Sequence, residues 1–276
     1  MSEKIPFCKY SATGNDFILI DNRAKQFTGA QKNLFFNLCA RKTGIGADGV
    51  LLIEAPRRRD CAFTMRYFNR DGNESEMCGN GGRASAHYAA TTKLAAPTMQ
   101  FEVNGELYHA EVADGRVKLR MAKPHDLRLH PGVLPTLALP PSAGIAEAGY
   151  VNTGVPHYVV FVDTVEQVEV GTLGRTLRHH PAFAPAGANA NFVEITGASR
   201  VSLRTYERGV EEETLACGTG AVAAALFAHR IHDMPFPIRL NTRGGELLVS
   251  HDADSGRLWL EGQVQRVFIG EFEPWH

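Results

Sequence analysis

Tyr67-Phe68-Asn69-Arg70-Asp71-Gly72, followed by Met77-Cys78-Gly79-Asn80-Gly81, is one phrase of this chain; Tyr206-Glu207-Arg208-Gly209, followed by Ala216-Cys217-Gly218-Thr219-Gly220, is its second copy. Tyrosine and cysteine lie 11 residues apart in both. Working outward, Thr13-Gly14-Asn15-Asp16 and the apolar run from Phe17 to Ile20 find their match in Thr153-Gly154-Val155-Pro156-His157 and the run from Tyr158 to Val162. Downstream, Asn104-Gly105-Glu106-Leu107 parallels Gly244-Gly245-Glu246-Leu247. The offset is 139 or 140 residues at every landmark. Solenoid units run to about 20–50 residues, so a period this long predicts one domain present twice.

The length of 276 residues suits two domains of ordinary size, and 44% hydrophobic residues supply two cores. The expected halves are 1–122, with 266–276 packing back on it, and 123–265. Pro- and Gly-rich text from Leu127 to Gly149 belongs at the junction and in the early second half. Val201 to Tyr206 alternates apolar and polar residues, as a half-buried strand does, and Met65 to Phe68 is a weaker version. Each cysteine phrase runs into small apolar residues: Ala221 to Ala228 after Cys217, and Arg83 to Ala90 after Cys78. A helix that is apolar all round is a buried one. The predicted fold is therefore α/β of the α+β kind: two pseudo-symmetric duplicated domains, each a curved, mostly antiparallel sheet wrapped around a central helix.

A net charge of −1 gives no electrostatic case for nucleic acid or a membrane surface. The run Arg57-Arg58-Arg59 reads as a solvated loop. Apolar stretches stay well short of the roughly 20 residues of a membrane span, and the N-terminus lacks a signal-peptide pattern, so the expected location is the cytoplasm. The five cysteines are an odd number without a C-x-x-C, which argues against a disulfide scaffold or zinc cluster. Cys8, Cys39 and Cys61 read as small core residues. His179-His180 and His229-x-x-His232 lack further ligands at useful spacing, so no metal is expected.

This reading puts Cys78 and Cys217 at the N-termini of the two central helices, where a duplication is expected to face them across a pseudo-twofold axis. Free N–H groups and the helix dipole there favour anions and lower a thiol's pKa. The same N–H groups can bind a carboxylate. A substrate carboxylate held by them has its α-proton acidified, because charge that develops in the carbanion is stabilised. One cysteine as thiolate can remove that proton while the other returns one to the opposite face, inverting the centre without a cofactor.

At these residues the chain resembles the diaminopimelate epimerase family along nearly its whole length. The matching phrases include Thr13 to Phe17, Gly44 to Gly49, Phe68 to Gly72, Met77 to Gly81, Asn189-Ala190-Asn191-Phe192, Tyr206 to Gly209 and Ala216 to Gly220. The resemblance implies two similar domains closing on a small-molecule amino-acid substrate, cofactor-independent interconversion of LL- and meso-diaminopimelate for lysine and peptidoglycan synthesis, and a homodimer. By position, Cys78 and Cys217 correspond to the acid/base pair. Gly79, Asn80, Gly218 and Thr219 correspond to the grip on the α-carboxylate, and Asn15, Asn69, Asn189, Glu207 and Arg208 to the side chains that hold the substrate. Arg208 can take a carboxylate bidentately, Glu207 can attract an ammonium, and the amides serve either. Taken singly, each Asn reads first as a turn residue, and His157 is either a site-orienting group or a satisfied structural histidine.

The chain departs from the family pattern at Val155, where many members carry Asn, and at Gly49, where some carry Gln. The distal grip then falls to Asn69, Asn189 and Arg208. The duplication aligns Asn69 with Arg208 and Asn15 with Val155, so the cysteines are symmetric while these ligand positions are not. The alternatives are a pyridoxal-independent racemase or epimerase of another amino acid, and a non-catalytic amino-acid-binding protein. Asn80 and Leu215-Ala216 speak against the proline-racemase pattern, and retention of both cysteines speaks against the binding protein.

Overall fold

The computed structural model describes residues 4–129 and 147–274. Most of the Leu127 to Gly149 junction text therefore lies outside the described residues. The chain divides into two compact units, residues 1–119 with 262–276, and residues 120–261.

The first unit begins with β1 (Ile5–Ala12) and β2 (Asn15–Asp21), followed by α1 (Lys32–Cys39), β3 (Gly49–Glu54) and β4 (Thr64–Asn69). Then come α2 (Gly79–Thr91), β5 (Thr98–Val103), β6 (Glu106–Ala113) and β7 (Arg116–Arg120). The second unit runs β8 (His125–Leu129), β9 (Ala148–Asn152), β10 (Pro156–Phe161), α3 (Val170–Arg178), β11 (Asn189–Gly197) and β12 (Arg200–Glu207). It continues with β13 (Glu212–Thr214), α4 (Gly218–His232), β14 (Ile238–Thr242) and β15 (Gly245–Asp252). Strand β16 (Arg257–Phe272) starts in the second unit and ends in the first, where its Val264–Phe272 stretch pairs antiparallel with β1.

The sequence repeat reappears as a repeat of strand pairing. In the first unit β1–β2 is antiparallel, β2–β3 parallel, β3–β4 antiparallel, β4–β5 parallel and β5–β6 antiparallel. In the second, β9–β10, β10–β11, β11–β12, β12–β14 and β14–β15 follow the same alternation. Each parallel pair is reached by a crossover, as parallel pairing requires. The crossovers β4 to β5 and β12 to β14 carry α2 and α4. The landmark glycines Gly14 and Gly154 sit in the β1–β2 and β9–β10 turns at φ +81° and +118°, a region that L side chains rarely adopt.

Both central helices are held by burial. Helix α2 opens on Gly79, Gly81 and Gly82, poor helix formers in isolation. It survives because residues Gly79 to Ala86 and Ala89 are all buried. Helix α4 is rich in alanine and buried from Ala221 to Ala225; it ends at Asp233 in the left-handed conformation with His229, Arg230 and His232 in its last turn, suiting the dipole. A Cβ on Gly149 of β9 would lie 2.2 Å from the Phe227 ring, so the absence of a side chain there sets how closely α4 seats on the sheet. Core clusters in the two units are built from Ile18, Ile20, Phe35, Leu38, Val50 and Phe68, and from Tyr158, Val160, Leu177, Ala190, Phe192 and Tyr206.

Candidate active site

Cys78 and Cys217 are the N-cap residues of α2 and α4, each with extended backbone before the first helical turn. The sequence placed both there, and the side chains around the two differ.

In the first unit the Cys78 sulfur accepts the Gly81 N–H at 3.4 Å, and its S–H donates to Asn15 Oδ1 at 3.7 Å. Asn80 Nδ2 donates to the same oxygen at 3.3 Å. The Asn15 amide is oriented by its own donation to Asp48 Oδ2 at 2.7 Å. Asp48 is in turn paired with Arg41, which also binds Asp16. Below Asn80 lies Arg83, fully buried, donating to Asn80 Oδ1 and to Thr13 Oγ1 at 3.1 Å. Among the described residues its Nε has no partner, and burial pulls its pKa down to about 10, opposed by Cys78. It therefore stays cationic at neutral pH, a positive charge beneath the helix end. Asn69 closes a turn through its backbone, donating to Asn73 O at 2.9 Å and accepting from Gly72 at 2.8 Å. Among the described residues, no hydrogen bond ties its side chain to Asn15 or Cys78.

In the second unit Cys217 Sγ lies 3.5 Å from Thr219 Oγ1, and His157 Nε2 lies 2.9 Å from the same hydroxyl. Behind His157, Nδ1 is 3.1 Å from Asn191 Nδ2, and Asn191 Oδ1 accepts from Thr205 Oγ1 at 3.0 Å. Thr153 Oγ1 donates to Thr219 O at 2.9 Å, fixing the first turn of α4. His157 is fully buried, and burial, with help from the Arg208 charge, pushes its pKa down to about 3 against the Asn191 hydrogen bond. A Cβ on Gly220 would lie 2.4 Å from Asn191 Oδ1 and 3.4 Å from Cys217 Sγ, so the glycine after Thr219 is demanded by this packing.

A second group in that unit gathers Asn189, Arg208 and Glu207. Asn189 donates from Nδ2 to Pro156 O at 2.8 Å and accepts the Arg208 N–H at 2.8 Å. Glu207 Oε2 accepts from Thr214 Oγ1 at 2.9 Å. The remaining thiols are of another kind: burial pushes the pKa of Cys8, Cys39 and Cys61 up, that of Cys39 to about 12. Among the described residues, no group of three or more His, Cys, Asp or Glu is disposed to hold a metal ion.

Sequence reasoning missed Arg83, Thr13 and Asp48 in the first unit and Asn191, Thr205 and Thr153 in the second. Two of these carried a signal. Arg83 is a lone charge in a run of Gly and Ala, and Asn191 is an amide inside an apolar strand, where β-propensity disfavours it.

Comparison with known proteins sets these features in a family. The family model described as diaminopimelate epimerase matches residues 7–125 and 149–267, one stretch in each half. A diaminopimelate epimerase of Chlorobaculum tepidum is 40% identical over 94% of this chain and 98% of its own length; that of Aquifex aeolicus is 38% identical over 96% of both. Among solved structures, a phenazine biosynthesis protein of the PhzF family from Bacillus anthracis aligns at TM-score 0.75 with 16% identity, covering 98% of this chain and 99% of its own. A hydroxyproline epimerase from Agrobacterium vitis aligns at 0.63 with 15% identity, covering 98% and 91%. Such low identities speak for the fold alone. The family model and the close relatives define the class: the protein is an isomerase, and specifically an epimerase. The chain belongs to the diaminopimelate epimerase family.

Proposed function

We propose that the protein interconverts LL- and meso-diaminopimelate by proton transfer at one α-carbon, with Cys78 and Cys217 as the acid/base pair and no cofactor. The observation that carries this reading is that each duplicated cysteine caps a buried helix whose first turn is glycine-rich. The N–H groups of Gly79 and Asn80, and of Gly218 and Thr219, take the α-carboxylate and stabilise the charge that builds up as the α-proton leaves. One cysteine leaves the reaction protonated and the other deprotonated, so the thiols exchange roles in the reverse direction. Asn15, Asn69, Asn189, Glu207 and Arg208 hold the remaining polar groups. With the activity we infer a cytoplasmic homodimer and functional halves at 1–122 with 266–276, and 123–265.

The test is incubation of reduced protein with LL-diaminopimelate in heavy water, following α-deuteration and isomer composition. Deuterium at the α-carbon with growth of the meso isomer is the expected result, lost in both Cys78→Ala and Cys217→Ala. Turnover persisting in either variant would overturn the two-thiol reading.

A further inference from the structure

Among the described residues, no carboxylate pairs with Arg83. Its side chain is fully buried at the start of α2, spending its donors on the Asn80 and Thr13 side chains and leaving Nε without a hydrogen bond. Buried charges are normally paired, because an ion taken out of water must recover its solvation from a counter-charge. The carboxylates on neighbouring strands and loops are committed elsewhere: Asp16 and Asp48 to Lys9 and Arg41, Asp21 to Arg23, and Glu54 and Glu74 to Arg66. Arg116 adds a like charge, and the opposite charge that Arg83 meets is the Cys78 thiolate at the helix cap. Arginine can only donate, so its bond fixes the Asn80 amide: Oδ1 accepts from Arg83, and Nδ2 turns to Asn15 Oδ1 at 3.3 Å. The helix end therefore carries a full positive charge in addition to the roughly half a charge of its dipole. The repeat offset puts Val222 at the matching place in α4.

We propose that Arg83 is a positioning residue for a substrate carboxylate: it locks the Asn80 amide and supplies, beneath the α2 N-terminus, the positive charge that the carboxylate answers. This rests on the reading that the N–H groups of Gly79 and Asn80 take the α-carboxylate, but its test needs no diaminopimelate. A whole charge in a buried setting acts through a lower dielectric than in water, so it favours an anion over a neutral group of the same size. The same charge stabilises the negative charge that the carboxylate gathers as the α-proton leaves. The contribution is one-sided, since α4 has an apolar residue where α2 has the guanidinium.

The measurement compares iodoacetate with iodoacetamide, reagents that differ in charge rather than size, on the reduced protein at neutral pH. Mass spectrometry reads the alkylation peptide by peptide, so Cys78 and Cys217 are followed in one sample. Both reagents attack through the thiolate, so their rate ratio cancels the thiol's own pKa and reports the preference for a carboxylate. In the natural protein the ratio at Cys78 is expected to exceed that of N-acetylcysteine in the same buffer. Arg83→Gln keeps a donor for Asn80 and removes the charge; it is expected to lower the Cys78 ratio about fivefold and to leave the Cys217 ratio in place. An unchanged Cys78 ratio in Arg83→Gln, or an equal fall at Cys217, overturns the assignment. So does a natural Cys78 ratio no higher than that of N-acetylcysteine, a result that needs no variant to fold. An unchanged ratio in Arg83→Gln alongside epimerisation of diaminopimelate by the natural protein would fail the Arg83 assignment alone. The expected fall in a protein that does not exchange the α-proton would instead fail the proposed function and leave the role of Arg83 standing.

Discussion

Protonating His157 should unlock the second unit in mild acid, and the size of the effect follows from its surroundings. The ring is fully buried, with Arg208 adding a like charge, so its pKa falls from 6.5 to about 3 against the opposing hydrogen bond with Asn191. In the unfolded chain it titrates normally. Below pH 6.5 the unfolded state therefore binds a proton that the folded state refuses, and stability drops as pH falls, continuing down to about pH 3. Each unit is worth about 1.4 kcal/mol, so pH 5 costs about 2 kcal/mol relative to neutral pH. His157→Gln cannot be protonated and escapes that loss. The assay is hydrogen exchange on peptides from β10, β11 and α4 across a urea series at pH 7.5 and pH 5.0, for both proteins. The natural protein should lose about 2 kcal/mol more than the variant between the two conditions. Equal losses would mean that His157 is not held neutral in the folded protein.

Two further outcomes follow. Gly220→Ala drives a Cβ to 2.4 Å from Asn191 Oδ1, an atom locked by Thr205 and unable to retreat, so it should cost about 1–3 kcal/mol in thermal or urea unfolding and depress turnover through Cys217. Arg208→Asn, which puts the residue of the aligned Asn69 position into the second unit, should raise KM far more than it lowers kcat; a large loss of kcat at unchanged KM would assign Arg208 to the chemistry instead.

The repeat in the sequence made the architecture legible because each landmark is a backbone requirement. Gly14 and Gly154 need positive φ, and each cysteine phrase supplies a cap followed by small residues that a sheet can wrap. Hence the helices after Cys78 and Cys217 and the strands around Tyr67 and Tyr206 could all be placed in advance. The side chains supporting the helix ends were not legible, because they come from strands distant in sequence and differ between the copies. Where the second unit uses His157 and Asn191, register places Phe17 and Leu51 in the first. Where the first has Arg83, the repeat offset gives Val222. A duplicated backbone motif announces itself by similarity, whereas polar supports that have diverged leave only a lone charge or an out-of-place amide. The seating of Phe227 on Gly149 was hidden for the same reason, since tertiary approach has no local signal.

Strand β16 gives the chain an unusual order of completion on the ribosome. The edge of β1 that it covers, from Ile5 to Ala12, is made long before its partner residues Val264–Phe272. All of the second unit is translated in between. At roughly 5–20 residues per second, the first unit waits on the order of ten seconds with an unpaired edge, while the second can finish from a contiguous stretch. The half begun first is thus the half finished last. An unpaired edge exposed for that long is a template for wrong pairing, so loss of the final strand by truncation or early termination should damage the N-terminal half, far away along the chain, before it touches the half in which the cut falls nearer.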